Sequence, residues 1–215
     1  GCFTRLHIPA SGGVLDESWK RTFPGNFPGN YNITVGIIGA GMIGLMVIER
    51  IHRVLEHISI LVFDPFLSDE RAKELKVTKC DLPTLFAQSD VISNHLADNE
   101  KTRGMLNYDL LSLMKDTAVF INTGRGAQVV EEDLVRALTE VPSRAAVLDV
   151  TFPEPSPAGH PFYDMKNVYI TPHIAGSLGN EVHRMADYMV EEYRLYRDGE
   201  PTHYEVALKM LETMA

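Results

Sequence analysis

The stretch Thr34–Gly44, TVGIIGAGMIG, constrains the fold of this chain more than any other. A β-branched apolar run, Val35, Ile37 and Ile38, leads into Gly39-x-Gly41-x-x-Gly44, and a helical pattern follows from Leu45 to Leu55. A strand, a glycine turn of this spacing and a helix, in that order, form the dinucleotide-binding fingerprint. Gly39 allows the tight turn, Gly41 lets the backbone approach a pyrophosphate, and Gly44 lets the helix pack on the strand. The free N–H groups around Met42 and Ile43 then face the phosphates, with the positive end of the helix dipole behind them. The glycine spacing alone is weak, but its surroundings agree. A second strand is expected over Ile58–Phe63, and Asp64 ends it, 20 residues after Gly44. A carboxylate there accepts hydrogen bonds from both ribose hydroxyls and repels a 2′-phosphate, which favours NAD over NADP. The other reading of Asp64 is a strand-end turn residue ahead of Pro65.

Composition narrows the class. A chain of 215 residues can bury one good core and carry an appendage. Its 45% apolar and 23% charged residues are those of a soluble globular protein, and a net charge of −9 argues against nucleic acid as a main partner. No apolar run approaches membrane-spanning length, and the N-terminus lacks a signal-peptide pattern. Cys2 and Cys80 are too few for a disulfide framework, which points to a reducing, cytoplasmic setting.

Residues 1–32 read as an arm and loop. They hold the tandem Phe23-Pro-Gly-Asn26 and Phe27-Pro-Gly-Asn30, whose Pro-Gly turns forbid a helix; Asp16–Arg21 has the pattern of a helix end. From residue 33 to 178 strands and helices alternate. Helices are expected over Leu82–Ser89, Tyr108–Lys115 and Glu131–Glu140, the last with acids in its first turn. Strands are expected over Asp90–Leu96, Ala118–Asn122, Arg144–Val150 and Asn167–Thr171. Such alternation implies a doubly wound parallel α/β sheet covered on both faces. Residues 179–215 read as C-terminal helices. The longer runs from Leu178 to Asp198 with Val182, Met185, Met189, Tyr193 and Tyr196 as one buried stripe, packed on the sheet or a second subunit. Gly199 and Pro201 stop it, and 203–215 has the pattern of a short helix.

In a doubly wound sheet, ligands sit at the carboxyl ends of the strands. Asp64, His95, Arg125, Asp149, Glu154 and His173 all stand at or just past strand ends, and so open onto the edge that carries the glycine turn. An Arg, a Glu and a His beside a nicotinamide suffice for 2-oxo acid chemistry. Arg125 can grip a carboxylate or keto oxygen, and His173 can protonate the carbonyl oxygen as hydride arrives. Glu154 can hold the imidazole and favour its protonated form. Taken singly, each also has a structural reading: Arg125 as a loop cation, Glu154 as a turn acid between Pro153 and Pro155, His173 as a strand-end histidine after Pro172. No Cys or His cluster has metal-ligand spacing, and no Gly-x-Ser-x-Gly elbow occurs. The other histidines, His160 among them, are read as structural.

Four stretches together, Val35–Gly44, Met114–Gly126, Leu148–Pro155 and Thr171–Gly176, resemble the D-isomer-specific 2-hydroxyacid dehydrogenase family over about residues 33–200. The resemblance implies a Rossmann domain, NAD as cofactor and catalytic roles for Arg125, Glu154 and His173. It places Gly39, Gly41, Met42, Ile43, Gly44, Asp64, His95, Thr123 and Asp149 at the cofactor, with Asp149 on the nicotinamide amide. It implies an oxidoreductase of a small 2-hydroxy or 2-oxo acid that forms a homodimer. The form Asp149-Val-Thr-x-Pro-Glu-Pro looks more like glyoxylate and hydroxypyruvate reductases than D-lactate enzymes. Two departures stand out. The family's His-x-Pro-Leu is here His95-Leu96-Ala97-Asp98, and the flavodoxin-like substrate domain that precedes the cofactor domain is largely missing. The chain therefore reads as the cofactor domain of such an enzyme, truncated or naturally short. The rival reading is a non-catalytic NAD-binding module, like the corepressors of the same family.

Overall fold

The computed structural model describes residues 29–208 and residue 210. The helix end expected at Asp16–Arg21 and most of the arm lie outside these residues. Seven parallel strands form one sheet in the order β3-β2-β1-β4-β5-β6-β7. They are β1 (Thr34–Ile38), β2 (Ser59–Phe63), β3 (Thr78–Lys79), β4 (Val91–Asn94), β5 (Val119–Asn122), β6 (Ala145–Leu148) and β7 (Val168–Ile170). The helices between them are α1 (Met42–Val54), α2 (Asp69–Glu74), α3 (Leu82–Gln88), α4 (Tyr108–Leu111) and α5 (Glu131–Glu140), and α6 (Asn180–Asp198) follows β7.

Side chains alternate across a strand, so β1 feeds two cores. Val35 and Ile37 join Ile48 of α1 and Ala72 of α2 on one face. Ile38 joins Leu85 and Phe86 of α3 and Leu134 of α5 on the other. Gly36 faces α3 so closely that a Cβ would stand 2.5 Å from Leu85 Cδ2. The sheet is thus covered on both faces, as the alternation of elements implies. Toward the β7 edge cover thins: Ile121, Val147 and Tyr169 are only half-buried.

Several expectations are corrected. β4 stops at Asn94, so His95 and Leu96 lie beyond the strand. The helix expected to reach Lys115 stops at Leu111; just beyond it Arg144 Nη2 donates to Ser112 O at 2.9 Å and also to Met114 O. α2 and β3 are additions; the polar run DERAKE carries no apolar period. No α-helix occurs over the described residues 203–208. The largest correction concerns α6. Its stripe is not buried: Val182 is 52% exposed, Met189 59% and Tyr196 76%, and no residue of the helix is buried. The stripe has the period of a packed helix, but the sheet does not cover it.

Candidate functional site

Because all strands are parallel, their carboxyl ends share one edge, and the sheet order sets the residues just beyond them in a row. From β2 to β7 come Asp64, the glycine turn, His95, Arg125, Asp149 with the Glu154 loop, and His173. The chain switches direction of travel at β1, and the crevice between β1 and β4 is where a doubly wound sheet receives its ligand.

The glycine turn is shaped by contact. Gly39 has φ +89°, donates to Phe63 O at 2.8 Å, and would place a Cβ 2.8 Å from His95 O. A Cβ on Gly44 would stand 2.0 Å from Gly39 O, so the helix starts against the turn itself. Gly41 caps α1, and a Cβ there would meet no atom within 4 Å. No side chain caps the first turn of α1 and no acid lies in it, while Met42 and Ile43 are exposed. Free N–H groups at a helix start are an anion site, which fits a pyrophosphate.

Asp64 ties this turn to the end of β2. Its Oδ2 accepts from Ala40 N at 2.6 Å; its Oδ1 accepts from Phe66 N at 2.7 Å and Leu67 N at 3.1 Å. A carboxylate has about four acceptor positions. One remains, on Oδ2, so the geometry leaves room for one ribose hydroxyl rather than two. The three bonds give Asp64 the part of a strand-end turn residue, and the remaining position is compatible with the ribose reading. His95 lies against Ser93, with Nε2 2.9 Å from Ser93 Oγ. Burial pushes its pKa down to about 4, so the ring is neutral at physiological pH. Thr123 is half-buried at the end of β5.

Arg125 is exposed between two closely packed glycines, of which Gly126 has no room for a side chain. A Cβ on Gly124 would lie 2.9 Å from Gln128 Oε1, and one on Gly126 2.1 Å from Thr151 O. The guanidinium Nη1 donates to Gly124 O at 2.8 Å. The Arg125 turn and the backbone leading to Glu154 thus touch directly.

His173 and Glu154 form the closest pair of the site, with Nδ1 to Oε1 at 2.6 Å. His173 sits at φ +52°, a conformation that costs a non-glycine residue roughly 1–3 kcal/mol. Asp149 offsets that cost. Its Oδ1 accepts from Thr171 Oγ1 at 2.5 Å and Ile174 N at 2.8 Å, and its Oδ2 from Ala175 N at 2.8 Å. Hydrogen bonds to a charged group contribute roughly 1.5–3 kcal/mol each, so three outweigh the strain. Burial alone would raise the Asp149 pKa; the Thr171 hydroxyl, the two amides and nearby His173 outweigh it and lower it. Asp149 is thus the anchor of the histidine turn, a role the sequence did not reveal, and one of its acceptor positions is left over.

Asp149, Glu154 and His173 line one cavity of about 570 Å³ with Thr151, Tyr163 and Thr171. Arg125 does not line it; it stands on the neighbouring strand end. Sequence reasoning also missed a buried pair behind this loop. Glu131 Oε2 lies 3.2 Å from His160 Nε2, while Oε1 accepts from Phe152 N at 2.7 Å. The acid in the first turn of α5 was visible as a dipole partner; nothing local marked it as buried. Among the described residues no group of three or more His, Cys, Asp or Glu could hold a metal, and no helix is long and apolar enough to cross a membrane.

Comparison with known proteins agrees with this geometry. The profile of the D-isomer specific 2-hydroxyacid dehydrogenase NAD-binding domain matches residues 3–175. D-3-phosphoglycerate dehydrogenase of Mycobacterium tuberculosis is 34% identical over 196 residues, covering 90% of this chain and 36% of that protein. Human glyoxylate reductase/hydroxypyruvate reductase is 39% identical over 177 residues, covering 80% and 51%. The NAD-complexed D-isomer specific 2-hydroxyacid dehydrogenase of Lactobacillus delbrueckii ssp. bulgaricus superposes with a TM-score of 0.75 at 27% identity, over 90% of this chain and 62% of that one. The chain thus spans between about a third and a half of the length of these curated relatives. It belongs to the D-isomer specific 2-hydroxyacid dehydrogenase family and carries that family's NAD-binding domain.

Proposed function

We propose that this chain is the cofactor half of an NAD-dependent oxidoreductase that interconverts a small 2-hydroxy acid and its 2-oxo acid. The observation that carries the reading is the 2.6 Å contact of His173 with Glu154, on a turn anchored by Asp149 at the glycine-turn edge. NADH, when bound, supplies the hydride. The residues of the chain do the rest. Glu154 occupies His173 Nδ1 and holds the ring, which leaves Nε2 to give a proton to the carbonyl oxygen, or to take one back in the reverse direction. Arg125 binds the substrate carboxylate or keto oxygen. The first turn of α1, with Met42 and Ile43, receives the pyrophosphate; Asp64 receives a ribose hydroxyl and selects against a 2′-phosphate. His95, Thr123 and Asp149 line the nicotinamide side.

The motif around Asp149 and the likeness to the human reductase favour glyoxylate or hydroxypyruvate as substrate. The exposed apolar stripe of α6 supports a homodimer, and the low cysteine content supports a cytoplasmic setting. Residues 33–178 form the cofactor unit in this reading, with 1–32 and 179–215 as its flanking segments. The test is NADH oxidation with glyoxylate, hydroxypyruvate, pyruvate and phenylpyruvate, with NADH binding followed by fluorescence. Turnover lost in His173→Ala, by about 10²–10⁴-fold, is expected. Tight NADH binding with no turnover on any 2-oxo acid would refute catalysis by this chain and favour an NAD-sensing module.

A further inference from the structure

Three amide side chains lie fully out of solvent beneath the cleft: Asn94 at 0% exposure, Asn122 at 1% and Gln128 at 0%. They come from the end of β4, the end of β5 and the turn after Arg125, and they bond to one another. Asn94 Nδ2 donates to Asn122 Oδ1 at 3.0 Å and to Gln128 Oε1 at 2.6 Å. What they hold is specific. Leu96 N donates to Asn94 Oδ1 at 3.2 Å, and Leu96 O accepts from Gln128 Nε2 at 2.9 Å. Arg125 N donates to Gln128 Oε1 at 3.2 Å, and Arg125 O accepts from Asn122 Nδ2 at 3.1 Å. Both backbone polar groups of Leu96 and both of Arg125 therefore end on the same three amides. Gly124 N adds a bond to Asn122 Oδ1 at 3.1 Å.

We infer that Asn94, Asn122 and Gln128 are positioning residues that lock the cofactor-side loop, residues 95–98, to the Arg125 turn, so that the two walls of the cleft keep one geometry. The inference rests on the role proposed for Arg125. Buried strand-end backbone must find partners, and these amides supply them to two loops at once. They also account for a feature of the sequence. Ala97 stands where the resemblance puts a proline that would stiffen the loop, and the chain instead pins Leu96 by its N–H and its C=O. A network with every member satisfied is rigid, and a partly satisfied one is costly, so loosening one member disturbs the others.

Two variants test it, Asn94→Ala and Gln128→Leu, neither at a residue that reaches substrate or cofactor. Amide hydrogen exchange is read at Leu96 and Arg125, and NADH dissociation constants and 2-oxo acid KM and kcat are measured alongside. In Asn94→Ala the Arg125 amide is expected to exchange faster, although Asn94 does not touch residue 125. The NADH dissociation constant and the substrate KM are expected to rise together, each about tenfold. The double variant is expected to do little more than the worse single one. An Arg125 amide unchanged in Asn94→Ala, or strictly additive effects, would overturn the coupling. A lowered melting temperature with unchanged NADH affinity and KM would reduce the network to a structural one, and overturn it equally. If Gln128→Leu fails to fold, Asn94→Ala alone decides. Absence of turnover in the parent chain would count against the proposed function only; exchange and NADH affinity then judge the network.

Discussion

Two His–Glu pairs flank the same loop, and they differ mainly in burial. His173 and Glu154 meet at 2.6 Å with side chains 45% and 41% exposed. His160 and Glu131 meet at 3.2 Å with side chains 15% and 8% exposed. In the exposed pair, water competes for both groups, so the contact adds little stability and leaves a ring nitrogen available. In the buried pair both carboxylate oxygens and both ring nitrogens are engaged. Glu131 Oε1 takes the amide of Phe152 at 2.7 Å, and His160 Nδ1 takes that of Phe162 at 3.3 Å, so the ring presents Nε2–H to Glu131. Residues 152 and 160 bracket Glu154, so the buried pair pins the loop on which the exposed pair works. Identical residue types sit in two environments here: desolvation fixes one pair, and solvent leaves the other free, as the chemistry proposed for it requires.

Glu131 is the residue on which the difference between the two pairs depends most. Replacing it with Leu leaves the His160 Nε2–H and the Phe152 amide unpaired, and is expected to cost about 1–3 kcal/mol for each in denaturant unfolding. A loss under about 1 kcal/mol would make the buried pair no different from a surface one. Glu154→Gln is expected to do the reverse. Turnover falls by about 10²-fold while unfolding free energy stays within about 0.5 kcal/mol, and a comparable loss of stability would remove the contrast.

Acidity sharpens it. Burial raises the Glu131 pKa above 4.5, against the opposing pull of the Phe152 amide and His160. The folded state therefore holds this proton longer than the unfolded chain. Stability from this group is greatest below about pH 4.5 and declines as pH rises through the raised folded value. Glu131→Gln is expected to flatten that slope, and urea midpoints across the acid range measure it. Asp149 has the opposite sign. Its lowered pKa means that its contribution is present above 3.8 and is lost as pH falls toward the folded value. A moderate effect is expected at Asp149→Asn, which keeps one acceptor oxygen. It should lower stability by about 1–2 kcal/mol and mobilise the His173 turn, with NMR of the His173 ring as the check. An unmoved ring would free Asp149 of its anchoring role.

Much of the fold was legible in residue order. β-branched runs alternating with amphipathic ones dictate parallel strands and crossover helices, and α5 begins and ends where its acids and apolar period place it. Gly39-x-Gly41-x-x-Gly44 and Asp64 fell at the strand ends because that spacing is local geometry. The short α2 was hidden because a polar helix of six residues carries no period, and the segment after α4 left the helix to bond the distant Arg144, which local sequence could not show.

Residue order was enough to say which residues reach the common edge, since parallel strands deliver their carboxyl ends there whatever the packing. Tertiary structure decided what each residue does on arrival. It consumed three acceptor positions of Asp64 and three of Asp149, buried Glu131 while leaving Glu154 in water, and left the α6 stripe uncovered although its period matches that of a packed helix. Periodicity and spacing are properties of neighbours along the chain. Desolvation and hydrogen-bond occupancy depend on atoms brought in from elsewhere, and those are set only by the folded chain.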